Sequence, residues 1–172
     1  MIIIIGISRI AMRLAHDSAN KGKKVVVISE HGEDTLSDEL VSKGITVLHK
    51  KHINEKVLIS AGINHASSCL VVSDDDEYNI TISDFISKMK KRKGAKNPLN
   101  LIVHVENWYT RNLLIDQISS FNSTPNLAIR FFDIHQSVAK LIYDQFPPHQ
   151  YVNDETKTNN ERVICILGNN EI

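Results

Sequence analysis

The stretch Gly6-Ile7-Ser8-Arg9-Ile10-Ala11 directly follows the apolar run Ile2-Ile3-Ile4-Ile5 and opens a helical pattern. That is the layout of the dinucleotide loop G-x-G-x-x-G. In that loop the first glycine makes the tight turn. The second lets a pyrophosphate approach the backbone, and the third lets helix and strand pack closely. Gly6 keeps the first position, Ser8 fills the second, and Ala11 fills the third with a small residue. The Ser8 Cβ and hydroxyl are expected to intrude where a phosphate would sit. The helix start still offers N–H groups and a positive dipole end to an anion. A plain strand-to-helix turn with no ligand is the other reading of these residues, and it stays open.

Glu30 ends the second apolar run, roughly 20 residues beyond the loop, where an acid can accept hydrogen bonds from ribose hydroxyls and repel a 2′-phosphate. A solvated strand-end acid is the alternative. Ser73-Asp74-Asp75-Asp76-Glu77 follows the fourth apolar run. Its carboxylates could hold a divalent cation, but no Asp-x-Asp-x-Asp-Gly loop is present, and capping of the next helix is the better account. The segment 88–96 reads Lys-Met-Lys-Lys-Arg-Lys-Gly-Ala-Lys. It could touch an anionic surface, although a solvated helix end is the simpler reading. His49 and His52 flank Lys50-Lys51, which disfavour a metal. No constellation for nucleophilic catalysis stands out. None of the tyrosines has a lysine four residues later, which weakens a short-chain dehydrogenase reading.

The elements that must position these groups alternate along the chain. Strands are expected at Ile2 to Ile5, Val25 to Ile28, Ile45 to Leu48, Leu70 to Val72, Leu101 to Val103 and Leu127 to Phe132. Apolar residues at helical spacing separate them, with Gly22, Gly44 and Gly62 closing the first three helices. Strict alternation implies parallel β-α-β units with right-handed crossovers. The expected fold is an α/β Rossmann-type doubly wound parallel sheet of order 3-2-1-4-5-6, in three αβα layers. Residues 1–149 form this domain, and 150–161 is a polar linker. Residues 162–172 repeat the pattern of the first strand and its glycine. They read as an extra strand of the same sheet or as the start of a second Rossmann-like unit in a longer chain.

A chain of 172 residues with 42% hydrophobic positions supports one such domain with a real core. Formal net charge is zero, which argues against a nucleic-acid partner. No apolar run approaches the roughly 20 residues of a membrane span, and no signal peptide is visible. Cys69 and Cys165 sit inside apolar runs, as buried reduced thiols do in a cytosolic protein.

The order of motifs resembles the TrkA-N family, also called RCK or KTN domains, over about residues 2 to 146. Gly6-x-Ser8-Arg9-x-Ala11 looks like the family's G-x-G-R-x-G. Leu58-x-x-Ala61-Gly62-Ile63-x-x-Ala66 looks like its L-x-x-A-G-I-x-x-A, and Ser73-Asp74-Asp75-Asp76-Glu77-Tyr78-Asn79 like its T-x-D-D-x-x-N. The resemblance implies a non-catalytic regulatory domain of a potassium channel or related ion-transport protein, at the cytoplasmic face of the membrane. It places Gly6, Ser8, Arg9, Ala11, Glu30, Ser73 and Asn79 at the cofactor crevice. It also implies a homo-dimer or higher oligomer joined through the helix from Ile134 to Phe146, with the membrane pore domain of the parent protein as a further partner. The sequence departs from the pattern at Ser8 and Ala11, at Lys50-Lys51 in place of Gly-Asp, and at His104 where arginine is common. NAD(H) or an adenine nucleotide is therefore expected to bind weakly or not at all. An NAD-dependent oxidoreductase's nucleotide domain and a purely structural domain are the rival readings.

Overall fold

The computed structural model describes residues 1–30, 35–93, 97–121 and 125–147. The linker and extra strand expected at 150–161 and 162–172, with Cys165, lie outside them. The chain divides into two units, Met1–Ile134 and His135–Ile172.

The first unit alternates strand and helix: β1 (Ile2–Ile5), α1 (Arg9–Asn20), β2 (Val25–Ser29), α2 (Thr35–Ser42), β3 (Thr46–His49) and α3 (Glu55–Ser60). It continues with β4 (Ser68–Val71), α4 (Asp76–Lys93), β5 (Leu99–His104), α5 (Trp108–Phe121) and β6 (Leu127–Phe132). The strands form one sheet of order β3-β2-β1-β4-β5-β6, parallel at every pairing. Central strands made of Ile and Val run are buried on both faces, as parallel sheets require. Ile3, Ile4, Ile5, Val27 and Ile28 are fully enclosed. Each such side chain contributes about 2 kcal/mol by leaving water.

Alternate strand residues feed two cores. Ile3, Ile5, Val26 and Ile28 pack with Val57 and Leu58 of α3 and Ile82, Ile86 and Met89 of α4. Ile4, Val25 and Val27 pack with Ala11, Met12 and Ala15 of α1 and Leu40 of α2. The helices therefore lie on both faces, which completes the three-layer αβα Rossmann-like arrangement.

The Leu58-to-Ala66 motif is part of this scaffold. Gly62, at φ +86°, donates its N–H to the Ile59 carbonyl, while Ile63 N–H bonds to Leu58. This paired closure ends α3, and it sets Leu58 against Ile63, both fully buried. The glycines after α1 and α2 close those helices with the same pair of bonds.

Helix α4 begins inside the acidic motif, at Asp76. Asp75 caps it: Oδ1 accepts the Tyr78 N–H at 3.1 Å. Asp76 and Glu77 then suit the positive end of the helix dipole. The basic tail of α4 is only partly solvated. Lys88 pairs with Asp84 and Arg92 with Glu55, but Lys90 is buried and donates to the Ile63 carbonyl at 3.2 Å. The helical face of Lys90 coincides with the core stripe, so the simple reading of a solvated helix end fails at that residue. Burial lowers the Lys90 pKa, and the nearby Cys69 thiol opposes that shift.

In the second unit, α6 (Ile134–Gln145, beginning at the unit boundary) has no buried residue. Val138, Leu141, Ile142 and Tyr143 are about half exposed, as is Phe146 just after it.

Candidate functional site

Strands β1 and β4 are neighbours, with Ile5 opposite Val71. Their helices leave toward opposite faces, so the β1–α1 and β4–α4 turns flank a crevice at the carboxyl edge of the sheet. This is the topological switch point, where open α/β sheets bind ligands.

Gly6 is required there twice over. Its φ is +101°, and a Cβ would lie 2.8 Å from the backbone nitrogen of Ser73. Ser8 has extended backbone and caps α1. Its Oγ accepts the Ala11 N–H at 3.2 Å and donates to the Val72 carbonyl at 2.9 Å. The expected intrusion of this hydroxyl on the phosphate position is thus corrected: the Val72 carbonyl at the end of β4 draws it inward, and Ser8 is buried. Ala11 is fully buried in the α1 core. Arg9 is exposed and makes no ion pair among the described residues. Every helix start leaves its first N–H groups without intrahelical partners, and at α1 Ser8 takes up those of Ala11, through its hydroxyl, and Met12, through its carbonyl.

On the other side of the crevice, Asn79 is fully buried and all its hydrogen-bonding positions are used. Its Oδ1 accepts the Ser73 N–H at 3.0 Å and the Ser73 hydroxyl at 2.9 Å. Its Nδ2 donates to the carbonyls of Ser73 at 2.9 Å and His104 at 3.1 Å. Ser73 and Asn79 therefore brace the turn and the end of β5. The Asp76 carboxylate extends that brace by accepting the N–H groups of Glu106 and Asn107, both at 2.9 Å. Among the described residues no cluster of His, Cys, Asp or Glu could hold a metal ion.

Glu30 stands half-buried at the end of β2. Its polar neighbour is Tyr78, a residue that sequence reasoning quoted only as part of a motif. Burial raises the Tyr78 pKa, and the Glu30 charge and a hydrogen-bonding contact with its carboxylate raise it further. The Tyr78 hydroxyl is nevertheless enclosed without a well-formed hydrogen bond.

A second polar group was also missed. Arg111, at the start of α5, is buried and bonds to the Asp133 carboxylate at 3.1 Å and to the Val105 carbonyl at 3.0 Å. Next to Val105 in the chain, His104 packs its ring against Phe132 and keeps Nδ1 buried without a partner among the described residues. The only sequence signal was a lone arginine on a helix face otherwise turned to the core by Leu114.

Chemically, the start of α1 has the positive end of a helix dipole and Glu30 a carboxylate that can only accept hydrogen bonds. No nucleophile–base pair stands there among the described residues.

Comparison with solved structures finds the same fold at low identity. The NAD(P)-binding domain of an exopolyphosphatase-related protein from Archaeoglobus fulgidus aligns with TM-score 0.60 and 17% identity, over 84% of this chain and 95% of that one. The TrkA-N domain of the inner membrane protein ybaL from Escherichia coli aligns with TM-score 0.56 and 14% identity, again over 84% and 95%. A comparison with curated proteins finds no match. At the level of family, the TrkA-N domain pattern matches residues 2–118, which takes in both turns of the crevice and the motif that closes α3. The chain belongs to the TrkA-N family, whose domains are non-catalytic regulatory modules that bind nucleotides or other ligands and are associated with ion transporters.

Proposed function

We propose that this domain senses a ligand and gates a potassium channel or related ion-transport protein from the cytoplasmic face of the membrane. The observation that carries this reading is the strand-end crevice itself. It has an open helix start beside Arg9 and an acid at Glu30 that pairs with no cation among the described residues. Gly6, Ser8, Ala11, Ser73 and Asn79 shape the crevice, whereas Arg9 and Glu30 reach a ligand. Among the described residues no helix is long and apolar enough to cross a membrane, so the pore is assigned to another part of the parent assembly.

Gating requires a second body. The apolar residues of α6, with Leu141 at 55% exposure, support a homo-dimer or higher oligomer through that helix. A ligand then does work only by favouring one inter-domain arrangement over another.

Two measurements test the reading. Calorimetry with NADH, NAD, ATP and ADP should show weak or absent binding, with Kd no tighter than roughly 100 μM, because the loop lacks its second glycine and Lys50-Lys51 replace the family's Gly-Asp. Sedimentation should show self-association that Leu141→Asp abolishes. A monomer at high concentration, unaltered by that substitution, rejects the assembly.

A further inference from the structure

We propose that the amino edge of the sheet is a surface for anionic membrane lipid, on which Lys21, Lys23, Lys24 and Lys91 contact phospholipid headgroups. The inference goes beyond the gating reading. It rests on the placement of the domain at the cytoplasmic face, and needs neither nucleotide binding nor self-association.

A chain whose formal net charge is zero divides its charges between the two edges of its sheet. Among the described residues, the turns that lead into the strands hold Lys21, Lys23, Lys24 and Lys43 and no acid. The turns that leave the strands hold Glu30, Asp74, Asp75 and Glu106, mixed with Lys50 and Lys51.

The basic edge is one continuous tract. The Ile2 N–H donates to the Lys24 carbonyl at 2.8 Å, the Ser67 N–H to that of Met1 at 3.0 Å, and the Asn100 N–H to that of Ser67 at 3.0 Å. These bonds line up the starts of β2, β1, β4 and β5, a span of about 15 Å at the spacing of neighbouring strands. Helix α4 reaches the same edge: beyond its basic end, Asn97 donates to the Asn64 carbonyl at 2.9 Å, in the turn before β4. Lys21, Lys23, Lys24 and Lys91 are exposed and make no ion pair among the described residues. Neighbouring cations are already paired, Lys43 with Glu39 and Arg92 with Glu55. A helix dipole favours cations only within its last turn, whereas α1 ends at Asn20 and Lys23 and Lys24 lie past it.

The chemistry of the tract selects its partner. Its unpaired cations are lysines, compact hydrated charges on flexible stems, and not arginine forks that grip one phosphate. Among the described residues no Phe, Trp or Tyr lies in its turns, so nucleic-acid bases find no stacking platform there. A spread of mobile positive charge suits a spread of negative headgroups, and each lysine near such a surface adds about fivefold to affinity. The family is associated with ion transporters, so a bilayer is at hand. Docked by this edge, the domain turns its strand-end crevice away from the bilayer and leaves it open to a ligand.

Sedimentation of the full chain with vesicles tests this, using equimolar phosphatidylserine and phosphatidylcholine against phosphatidylcholine alone. The wild type should bind only the anionic vesicles and lose binding as salt rises. The triple variant Lys21→Glu, Lys23→Glu, Lys24→Glu should bind about a hundredfold more weakly, with an unchanged denaturation midpoint, because these side chains are exposed and unpaired. Lys50→Glu with Lys51→Glu, at the other edge, should bind as the wild type does. No capture by anionic vesicles, equal capture by both kinds, or equal loss in the two variants overturns the proposal. So does tighter binding of a DNA duplex through the same three lysines. Each of these results leaves the gating reading in place, which nucleotide calorimetry and Leu141→Asp test separately.

Discussion

The β4–α4 turn and the end of β2 share one edge of the sheet, yet their polar groups are treated in opposite ways. In the turn, Asn79 uses every donor and acceptor it has on Ser73 and His104. At the end of β2, Glu30 pairs with no cation among the described residues and Tyr78 keeps an enclosed hydroxyl without a good partner. A saturated network specifies one arrangement and has nothing left to offer a ligand. An unsaturated pair costs the fold something and keeps its bonding capacity for a visitor. The turn is therefore frame, and it is the β2 end to which the proposed function assigns recognition.

The largest expected effect comes from breaking the frame at its tightest point. Gly6→Val combines an unfavourable positive φ with a Cβ pressed on the Ser73 backbone, and should destabilise by about 3 kcal/mol or more. Chemical denaturation measures this. The same variant cannot serve as a clean probe of ligand binding, because its damage reaches the opposite turn first. Next, Asn79→Asp keeps shape but removes both donors, leaving the carbonyls of Ser73 and His104 facing a carboxylate. A loss of about 2 kcal/mol is expected. A loss below about 0.5 kcal/mol would show that the bracket is not the frame claimed for it.

A pH series probes β4 beneath the turn. Burial pushes the Cys69 thiol from the usual 9.0 up to about 12. The unfolded thiol ionises above about 9 while the folded one keeps its proton, so stability should fall by about 1 kcal/mol per pH unit between those values. Lys90 acts in the other direction: its lowered pKa makes the folded chain release a proton before the unfolded one, which adds stability as pH rises toward the ordinary lysine value of 10.5. Cys69→Ala should flatten the fall, read from midpoints at pH 8 to 11. The smallest effect belongs to the unsaturated end. Glu30→Gln should change stability by less than about 0.5 kcal/mol, because no ion pair among the described residues is lost. A substantial destabilisation there would erase the contrast between the two regions.

Much of the frame was legible because it depends on short-range pattern. The Ile2-to-Ile5 run followed by Gly6, and the glycines that close α1, α2 and α3, fix element order, and right-handed crossovers then give the strand order. The direction of the Ser8 side chain was not legible, since it depends on a carbonyl 64 residues away. Lys90 was hidden inside a basic run in which Lys88, Lys91 and Arg92 do face solvent. Arg111 and Asp133 meet only when α5 packs beside β6, and no local spacing announces a contact of that kind. Tyr78 sat in view within the acidic motif, but its meaning depends on Glu30, which belongs to a strand two places away in the sheet.

The Asp76 carboxylate has a mechanical consequence. By holding the N–H groups of Glu106 and Asn107, it couples the first turn of α4 to the run-in of α5. A ligand that tilts that turn must carry the start of α5 along or break two charge-assisted bonds, each worth about 1.5–3 kcal/mol. The exposed pair Trp108 and Tyr109 rides at the far end of this lever. An acidic residue that the sequence reads better as part of a helix start than as a cation ligand thus ties the starts of two helices together.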